Sequence, residues 1–245
     1  MLARKIKIVL FICTSLCIKA IGQNRSLDSL YIWHDGQIGI VNTGIYAAAE
    51  YVEEYQVINE KHRFLDSPNF MQGTIWYDGD PFHNVLMKYD LFKDQIIIAL
   101  KNSAGVPPMK LETQKIDSFQ LKDRKFIKAS FPGEESTLSN GFYELIDRST
   151  YVTFYKKHHK VDVRKLNRNR VYYEFKDRSA YRVVYDGQLY PVKSKRALLH
   201  IFPLEKSVRN ELMATNTGRS LNAYGIISLL QKIKRELQEK PKPDR

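Results

Sequence analysis

Short runs of aromatic and β-branched residues, separated by polar turn residues, make up most of the chain. Three Asp-Gly pairs, Asp35-Gly36, Asp78-Gly79 and Asp186-Gly187, each follow such a run. Asp-Gly tolerates the positive φ angles of a type I′ turn, so each pair predicts a hairpin. Further strands are expected at 85–90, 95–101, 116–121, 125–130, 141–146, 151–156 and 171–176, at the spacing typical of antiparallel sheet.

Two of these strands indicate how the sheet is covered. Alternation of Val85, Met87 and Tyr89 with Lys88 and Asp90 predicts one covered face and one wet face. The stretch from Ile96 to Leu100 is continuously apolar, which favours a central strand buried on both faces.

Helical spacing replaces this pattern towards the C-terminus. Pro203 is expected to open one helix, and Ser220 to cap a second. In the second helix one apolar stripe is expected to cover a sheet face; it consists of Ile226, Leu230, Ile233 and Leu237. The predicted fold is mostly β, an antiparallel meander, curved sheet or half-barrel, with two short C-terminal α-helices within about 195–238.

The first residues have the pattern of a secretory signal peptide. A short cationic start precedes the apolar run Ile8 to Ile18, which has 11 residues against the roughly 20 that a transmembrane helix needs. Small residues at Ala20 and Gly22 fit a cleavage site, so the segment 1–22 is predicted to be removed and Gln23 to begin the mature chain. No transmembrane segment is expected after cleavage.

Both cysteines, Cys13 and Cys17, lie in this predicted signal. Leu16 and Ile12, which precede them, are not the small residues of a lipid-attachment site, so no lipid anchor is expected. The mature chain then contains no thiol, which excludes disulfides and cysteine catalysis. We expect one β-rich domain over 23–240, a disordered tail over 241–245, and a location in the periplasm or on the outer surface of a Gram-negative cell.

Several motifs resemble those of an exported, uncharacterised protein family of Bacteroidota. They include Gly73 to Gly79, Phe82 to Val85, Lys88 to Asp90, Asp94 to Ile98, Gly141 to Tyr143, Tyr181 to Tyr190 and Lys193 to Lys195, with the helical end around Leu198, Leu199 and Asn216. The resemblance implies a shared fold and export. It supplies no catalytic or binding residues.

No residue pattern indicates catalysis, a cofactor or a metal. The six histidines lack the spacing of zinc-binding helix motifs, and no nucleophile elbow, P-loop or dinucleotide fingerprint is present. His34-Asp35 and the group Asp78, Asp80 and His83 lie at predicted turns, where aspartate is selected for local hydrogen bonds.

One segment is strongly basic. The chain carries a formal charge of +12, and residues 156–170 contain seven Lys or Arg and one Asp. The segment is interpreted either as a long solvated hairpin guarding a sheet edge, or as a patch that docks on an anionic surface. The candidate patch comprises Lys156, Lys157, His158, His159, Lys160, Arg164, Lys165, Arg168 and Arg170.

Three classes of function follow from these patterns. The protein is expected to be an exported binding or accessory protein without catalytic activity, whose partner is another envelope protein or an anionic lipid or glycan surface; nucleic acid is not expected outside the cytoplasm. The alternatives are a periplasmic carrier of a lipid or lipoprotein acyl chain, and an unrecognised hydrolase. A large apolar cavity would favour the carrier, and a polar cleft with paired carboxylates the hydrolase.

Overall fold

The computed structural model describes residues 29–34, 37, 43–46, 48–99, 106–130, 140–167, 169–214 and 223–239. The predicted signal 1–22, the predicted Asp35-Gly36 turn and the predicted tail 241–245 lie outside these residues.

The described chain forms two antiparallel sheets. Their strands are β1 (Ala49–Glu50), β2 (Met71–Tyr77), β3 (Asp80–Asp90), β4 (Gln95–Ala99), β5 (Met109–Lys110), β6 (Ile116–Leu121), β7 (Arg124–Ser130), β8 (Asn140–Arg148), β9 (Val152–Lys157), β10 (Lys160–Asn167), β11 (Arg170–Asp177), β12 (Ala180–Tyr185) and β13 (Gln188–Val192). An 11-stranded sheet has the order β1-β5-β4-β3-β2-β6-β7-β8-β9-β12-β13, and β10 pairs with β11. The large sheet does not close, and the prediction of a mostly antiparallel β fold is confirmed.

Two of the predicted Asp-Gly hairpins are present. Asp78 and Gly79 join β2 to β3 with φ of 55° and 86°, and Asp186 and Gly187 join β12 to β13 with φ of 49° and 74°. Positive φ at both turn residues is the property for which Asp-Gly is selected, because its twist matches that of the flanking strands.

The large sheet is strongly curved. Asp94, in the β3–β4 connection, accepts hydrogen bonds from the Lys157 ammonium on β9 at 2.7 Å and from the Phe142 amide on β8 at 3.2 Å. In strand order β8 lies four places from β3, a distance of roughly 19 Å in a flat sheet at the usual strand spacing. Only a curved sheet brings these strands together.

Aromatic side chains pack in the interior beside these Asp94 contacts. Four rings there are fully buried, and adjacent centroids lie 4.6 to 6.0 Å apart; they belong to Tyr89, Phe119, Phe126 and Phe142. Aromatic pairs at such distances stabilise a core beyond the area that they bury.

Strand β3 differs from the prediction. Its apolar residues are buried as expected, but Lys88 and Asp90, predicted on a wet face, are also buried, with 9% and 1% exposure. The reason is a second layer, formed by residues 51–66 and called here the covering segment, which contributes Arg63 and Phe64 against that face. Ile96 to Ile98 on β4 are buried as predicted, although β4 lies third from one end of the sheet rather than at its centre.

Three C-terminal helices are described, one more than the predicted pair. They are α1 (Lys195–Ile201), α2 (Lys206–Ala214) and α3 (Ala223–Glu239). Ser194 caps α1 by accepting a hydrogen bond from the Ala197 amide at 3.1 Å. Pro203 lies between α1 and α2 instead of opening a helix, and Ser220 lies outside the described residues.

The predicted stripe of α3 is confirmed as a core contact. Ile226, Leu230 and Ile233 are fully buried in one cluster with Phe154 of β9 and Val183 of β12. The helix therefore covers one end of the large sheet, as its apolar spacing indicates. Within the described part of the chain, no helix is long and apolar enough to span a bilayer.

Candidate anionic-surface site

The basic segment begins in β9 of the large sheet with Lys156 and Lys157, and from Lys160 onwards it forms a separate two-stranded hairpin. β10 and β11 pair from Lys160 opposite Asp177 to Asn167 opposite Arg170. Asn169 in the turn has φ of 64°, a left-handed conformation that asparagine tolerates better than most residues. Strands of this length extend roughly 25 Å, so the turn lies far from the hairpin base.

The base of the hairpin is fixed to the covering segment by backbone hydrogen bonds. The amides of Tyr173 and Phe175 donate to the carbonyls of Gln56 and Lys61, both at 2.9 Å. At the start of β10, the Lys160 amide donates to the Leu91 carbonyl at 3.1 Å. These bonds attach β11 along one side and leave β10 as the outer strand.

An aromatic cluster reinforces this attachment. The Tyr55 ring makes edge contacts with Phe92, Tyr173 and Phe175, at centroid distances of 5.5, 5.1 and 5.5 Å. The Arg63 guanidinium lies 4.9 Å from the centroid of Tyr55, a cation–π distance. Packing of this kind fixes the direction in which the hairpin projects.

A buried ion network lies beneath the cluster. Arg63 donates from Nε to Asp90 at 2.6 Å, from Nη1 to Glu53 at 2.5 Å and from Nη2 to the Tyr51 hydroxyl at 2.5 Å. Although burial opposes it, contact with Glu53 and Asp90 raises the pKa of Arg63. For Tyr51, burial raises the pKa. Its hydroxyl therefore stays neutral and can donate a hydrogen bond.

Lys88 sits in an aromatic box rather than in an ion pair. Its ammonium lies 4.2 Å from the ring centroid of Phe64, 4.8 Å from that of Phe70 and 5.0 Å from that of Tyr51. Burial lowers its pKa. The rings of Tyr51 and Phe64, from the covering segment, and of Phe70 attract the ammonium in place of solvent.

Lys157 and His158, from the candidate patch, lie in the interior. The Lys157 ammonium, on a side chain 2% exposed, pairs with Asp94 and donates to the carbonyls of Asn140 and Phe142, each at 3.2 Å. The imidazole of His158 contacts the Glu144 carboxylate. Burial lowers the pKa of both side chains. They are structural groups and cannot contact an external surface.

Three further members are partly covered. The Lys160 ammonium donates to the His62 carbonyl at 2.6 Å and the Phe64 carbonyl at 3.2 Å, which holds the covering segment. Lys156 lies 5.8 Å from the Tyr181 ring centroid. The amide of His159 donates to the Ser179 hydroxyl at 3.3 Å.

The remaining members project from the outer half of the hairpin. Arg164, Lys165 and Arg170 are exposed, and none of them forms an ion pair with any described carboxylate; Arg168 lies outside the described residues. Leu166, between these cations, is 71% exposed. The structure thus brings together three cations and one apolar side chain at the hairpin tip.

The sequence identified this segment but not its division into buried and exposed side chains. A +6 charge over fifteen residues identified the basic region, yet nothing local showed that Lys157 and His158 point inwards towards Asp94 and Glu144. The importance of Leu166 was also missed. The signal for it was an isolated large apolar residue amid charges, next to turn residues.

Other candidate chemistry gains no support from the described residues. Asp78 belongs to the tight β2–β3 turn, where its amide donates to the Lys115 carbonyl at 2.7 Å. Across the described ranges, no group of three or more His, Cys, Asp or Glu side chains could hold a metal ion. The described aromatic residues inside the curved sheet pack into one buried apolar cluster, and this packing does not favour an acyl-chain carrier.

Comparison with protein-family models, curated proteins and solved structures finds no match for this chain. The case for function therefore depends on its own residues and their geometry.

Proposed function

We propose that this chain is an exported binding protein of a Gram-negative envelope that docks on an anionic lipid surface through the β10–β11 hairpin. Export is supported by the cationic and apolar N-terminal pattern. The observation that carries the docking proposal is the exposed tip, where Leu166 is exposed beside Arg164 and Lys165 on β10 and close to Arg170 at the start of β11.

The tip combines the two interactions that hold proteins at membrane interfaces. Each Lys or Arg near an anionic leaflet contributes about 1 kcal/mol, and full burial of a leucine side chain contributes roughly 1.5–3 kcal/mol. Three cations and one leucine therefore supply enough attraction for reversible binding. A glycan or an acidic protein would use the charges but would not require an exposed leucine beside them.

The attachment of the hairpin suits this role. Tyr55, Phe175 and the Arg63 network fix its base, while Arg164, Lys165, Leu166 and Arg170 at the tip are exposed. A rigid projection presents its side chains without the ordering cost that a flexible loop incurs on binding.

Cosedimentation with lipid vesicles tests the proposal. The unmodified protein should sediment with phosphatidylglycerol vesicles at about 0.1 M salt and dissociate towards 1 M, because the Debye length falls from roughly 10 to 3 Å. Replacing Arg164, Lys165 and Arg170 by Gln should weaken binding by about 100-fold, the equivalent of about 1 kcal/mol per charge.

A matched variant controls for total charge. Lys125, Lys193 and Arg235 are exposed and lie outside the hairpin, so their replacement by Gln removes the same charge from other surfaces. That variant should bind almost as the unmodified protein does. Equal loss in both variants, or binding to an acidic glycan or protein but not to vesicles, would contradict a membrane-docking hairpin.

A further inference from the structure

A second cationic feature lies away from the hairpin, between α1 and α2. The two helices line an open cleft of about 490 Å³. Its lining includes Arg196, Leu199 and His200 from α1, and Lys206, Arg209 and Met213 from α2. This volume falls within the range of roughly 300–1,000 Å³ typical of small-molecule sites.

Helical spacing explains why these residues converge. Arg196 and His200 are four residues apart on α1, while Lys206, Arg209 and Met213 follow at intervals of three and four on α2. Residues at these intervals share one helix face. Each helix therefore directs its most basic face towards the other.

The cleft has cations but no compensating carboxylate. No acidic residue belongs to its lining, and Glu205 and Glu211 lie outside it. Arg196 and Lys206 form no ion pair with described residues. Lys206 and Arg209 are like charges three residues apart on α2, a spacing that destabilises a helix.

Arg209 supplies an independent indication of an absent anion. Its Nη2 donates to the Leu204 carbonyl at 2.9 Å, but its buried Nε has no acceptor within the described chain. A buried donor without an acceptor costs stability. An anion in the cleft would be positioned beside this guanidinium.

The surroundings add further positive charge. The ammonium of Lys195 donates to the Met213 carbonyl at 2.9 Å, at the end of the cleft. Burial, together with the charge of Lys232, lowers the pKa of Lys195. α3 therefore brings another cation towards this region of the helical layer.

We propose that the α1–α2 cleft binds a phosphomonoester group carried on an apolar body. Arginine and lysine side chains match the charge and oxygen geometry of a phosphate dianion. Met213, which is 42% exposed, provides apolar contact for the remainder of the ligand, above the fully buried Leu199. Inorganic phosphate would use the charges and leave most of the volume empty.

Titration calorimetry with soluble short-chain lipids distinguishes these possibilities. Dihexanoyl phosphatidic acid, kept monomeric, should bind the full chain at least about 10-fold more tightly than inorganic phosphate, because its acyl chains bury apolar surface that phosphate lacks. Dihexanoyl phosphatidylcholine, which lacks the dianion, should not bind measurably. Equal binding of phosphate and phosphatidic acid, or none of either, would overturn the proposal.

Variants assign the binding to the cleft. Lys206→Gln combined with Arg209→Gln should weaken phosphatidic acid binding by at least about 10-fold, since charge-assisted hydrogen bonds are roughly twice as strong as neutral ones. Lys193→Gln, an exposed cation just before α1, is the matched control and should leave binding unchanged. The circular dichroism spectrum and melting temperature of each variant establish that it is folded.

The hairpin variant separates this site from the proposed docking surface. Gln at Arg164, Lys165 and Arg170 should leave the affinity for monomeric phosphatidic acid unchanged. If affinity falls in the hairpin variant and persists in the cleft variant, the ligand binds at the hairpin and the cleft proposal fails.

Discussion

At the scale of single residues, the fold depends on buried polar groups with specific partners. Gly141 has φ of 106°, and a Cβ there would collide with the Asp94 carboxylate that Lys157 binds. Gly141, the Asp94 carboxylate and the Lys157 ammonium come from three separate strands or turns and meet at this one point. Such a contact cannot be deduced from local sequence, because its members are far apart along the chain.

Replacing Lys157 by Met should destabilise the protein by about 3 kcal/mol, because it leaves Asp94 without its buried partner. Urea denaturation followed by circular dichroism measures the change in the free energy of unfolding. Lys165→Met, at an exposed position, is the control and should cost less than about 0.5 kcal/mol. Similar losses at both positions would contradict a structural role for Lys157.

His158 should make stability depend on pH. Burial lowers its pKa below the ordinary value of 6.5, although contact with Glu144 opposes the change. The unfolded chain therefore binds the proton more readily, and the free energy of unfolding should decrease as the pH falls through about 6.5. His62, whose pKa burial also lowers, contributes with the same sign.

His158→Gln isolates the contribution of this imidazole, since Gln retains a hydrogen-bonding side chain but does not titrate. Urea denaturation at several pH values between about 7.5 and 5.5 should show a smaller loss of stability in the variant than in the unmodified protein. Identical pH profiles would show that His158 does not carry the effect.

At the scale of elements, local residue patterns predicted two turns and the longest helix. The burial of individual strand residues could not be predicted in this way, because it depends on which distant segments pack against them. Asp78-Gly79 and Asp186-Gly187 were recognisable because few residue pairs accept two positive φ angles. α1 was missed as a helix because seven residues give barely two turns of periodicity. The burial of Lys88 was unpredictable, since its aromatic box comes from residues distant in sequence.

Leu230→Ala on α3 should reduce stability by about 2–5 kcal/mol, because the side chain is fully buried against the sheet. Gln231, its exposed neighbour, provides the control: Gln231→Ala keeps the helix and removes no core contact. Thermal denaturation compares the two. An unchanged melting temperature in Leu230→Ala would show that α3 is not part of the core.

At the scale of the whole molecule, the positive charge divides between buried residues such as Lys157 and exposed residues such as Arg164. Composition predicted a basic protein, the N-terminal pattern predicted export, and the density of charge predicted the segment 156–170 as a candidate surface. The selection of Arg164, Lys165 and Arg170 from nine candidates needed the structure, because burial of Lys157 and His158 depends on Asp94 and Glu144. The α1–α2 cleft was missed because its cations come from two helices whose packing the sequence does not specify.

Export is tested by the intact mass of the protein recovered from the cells that produce it. The mass should correspond to a chain beginning near Gln23, without an acyl group. A mass that includes residues 1–22, or one increased by a lipid at Cys17, would contradict the predicted processing.

The most direct test of membrane docking is the depth of the hairpin tip in a bilayer. Leu166→Trp places a fluorophore at the tip, and Tyr224→Trp places one at an 82% exposed position on α3, with Trp33 and Trp76 as a common background. On phosphatidylglycerol vesicles at about 0.1 M salt, where charges act over roughly 10 Å, Leu166→Trp should shift to shorter emission wavelength and be quenched by brominated acyl chains. Tyr224→Trp should show neither change. An unquenched Leu166→Trp, or equal quenching in both variants, would contradict insertion of the β10–β11 tip.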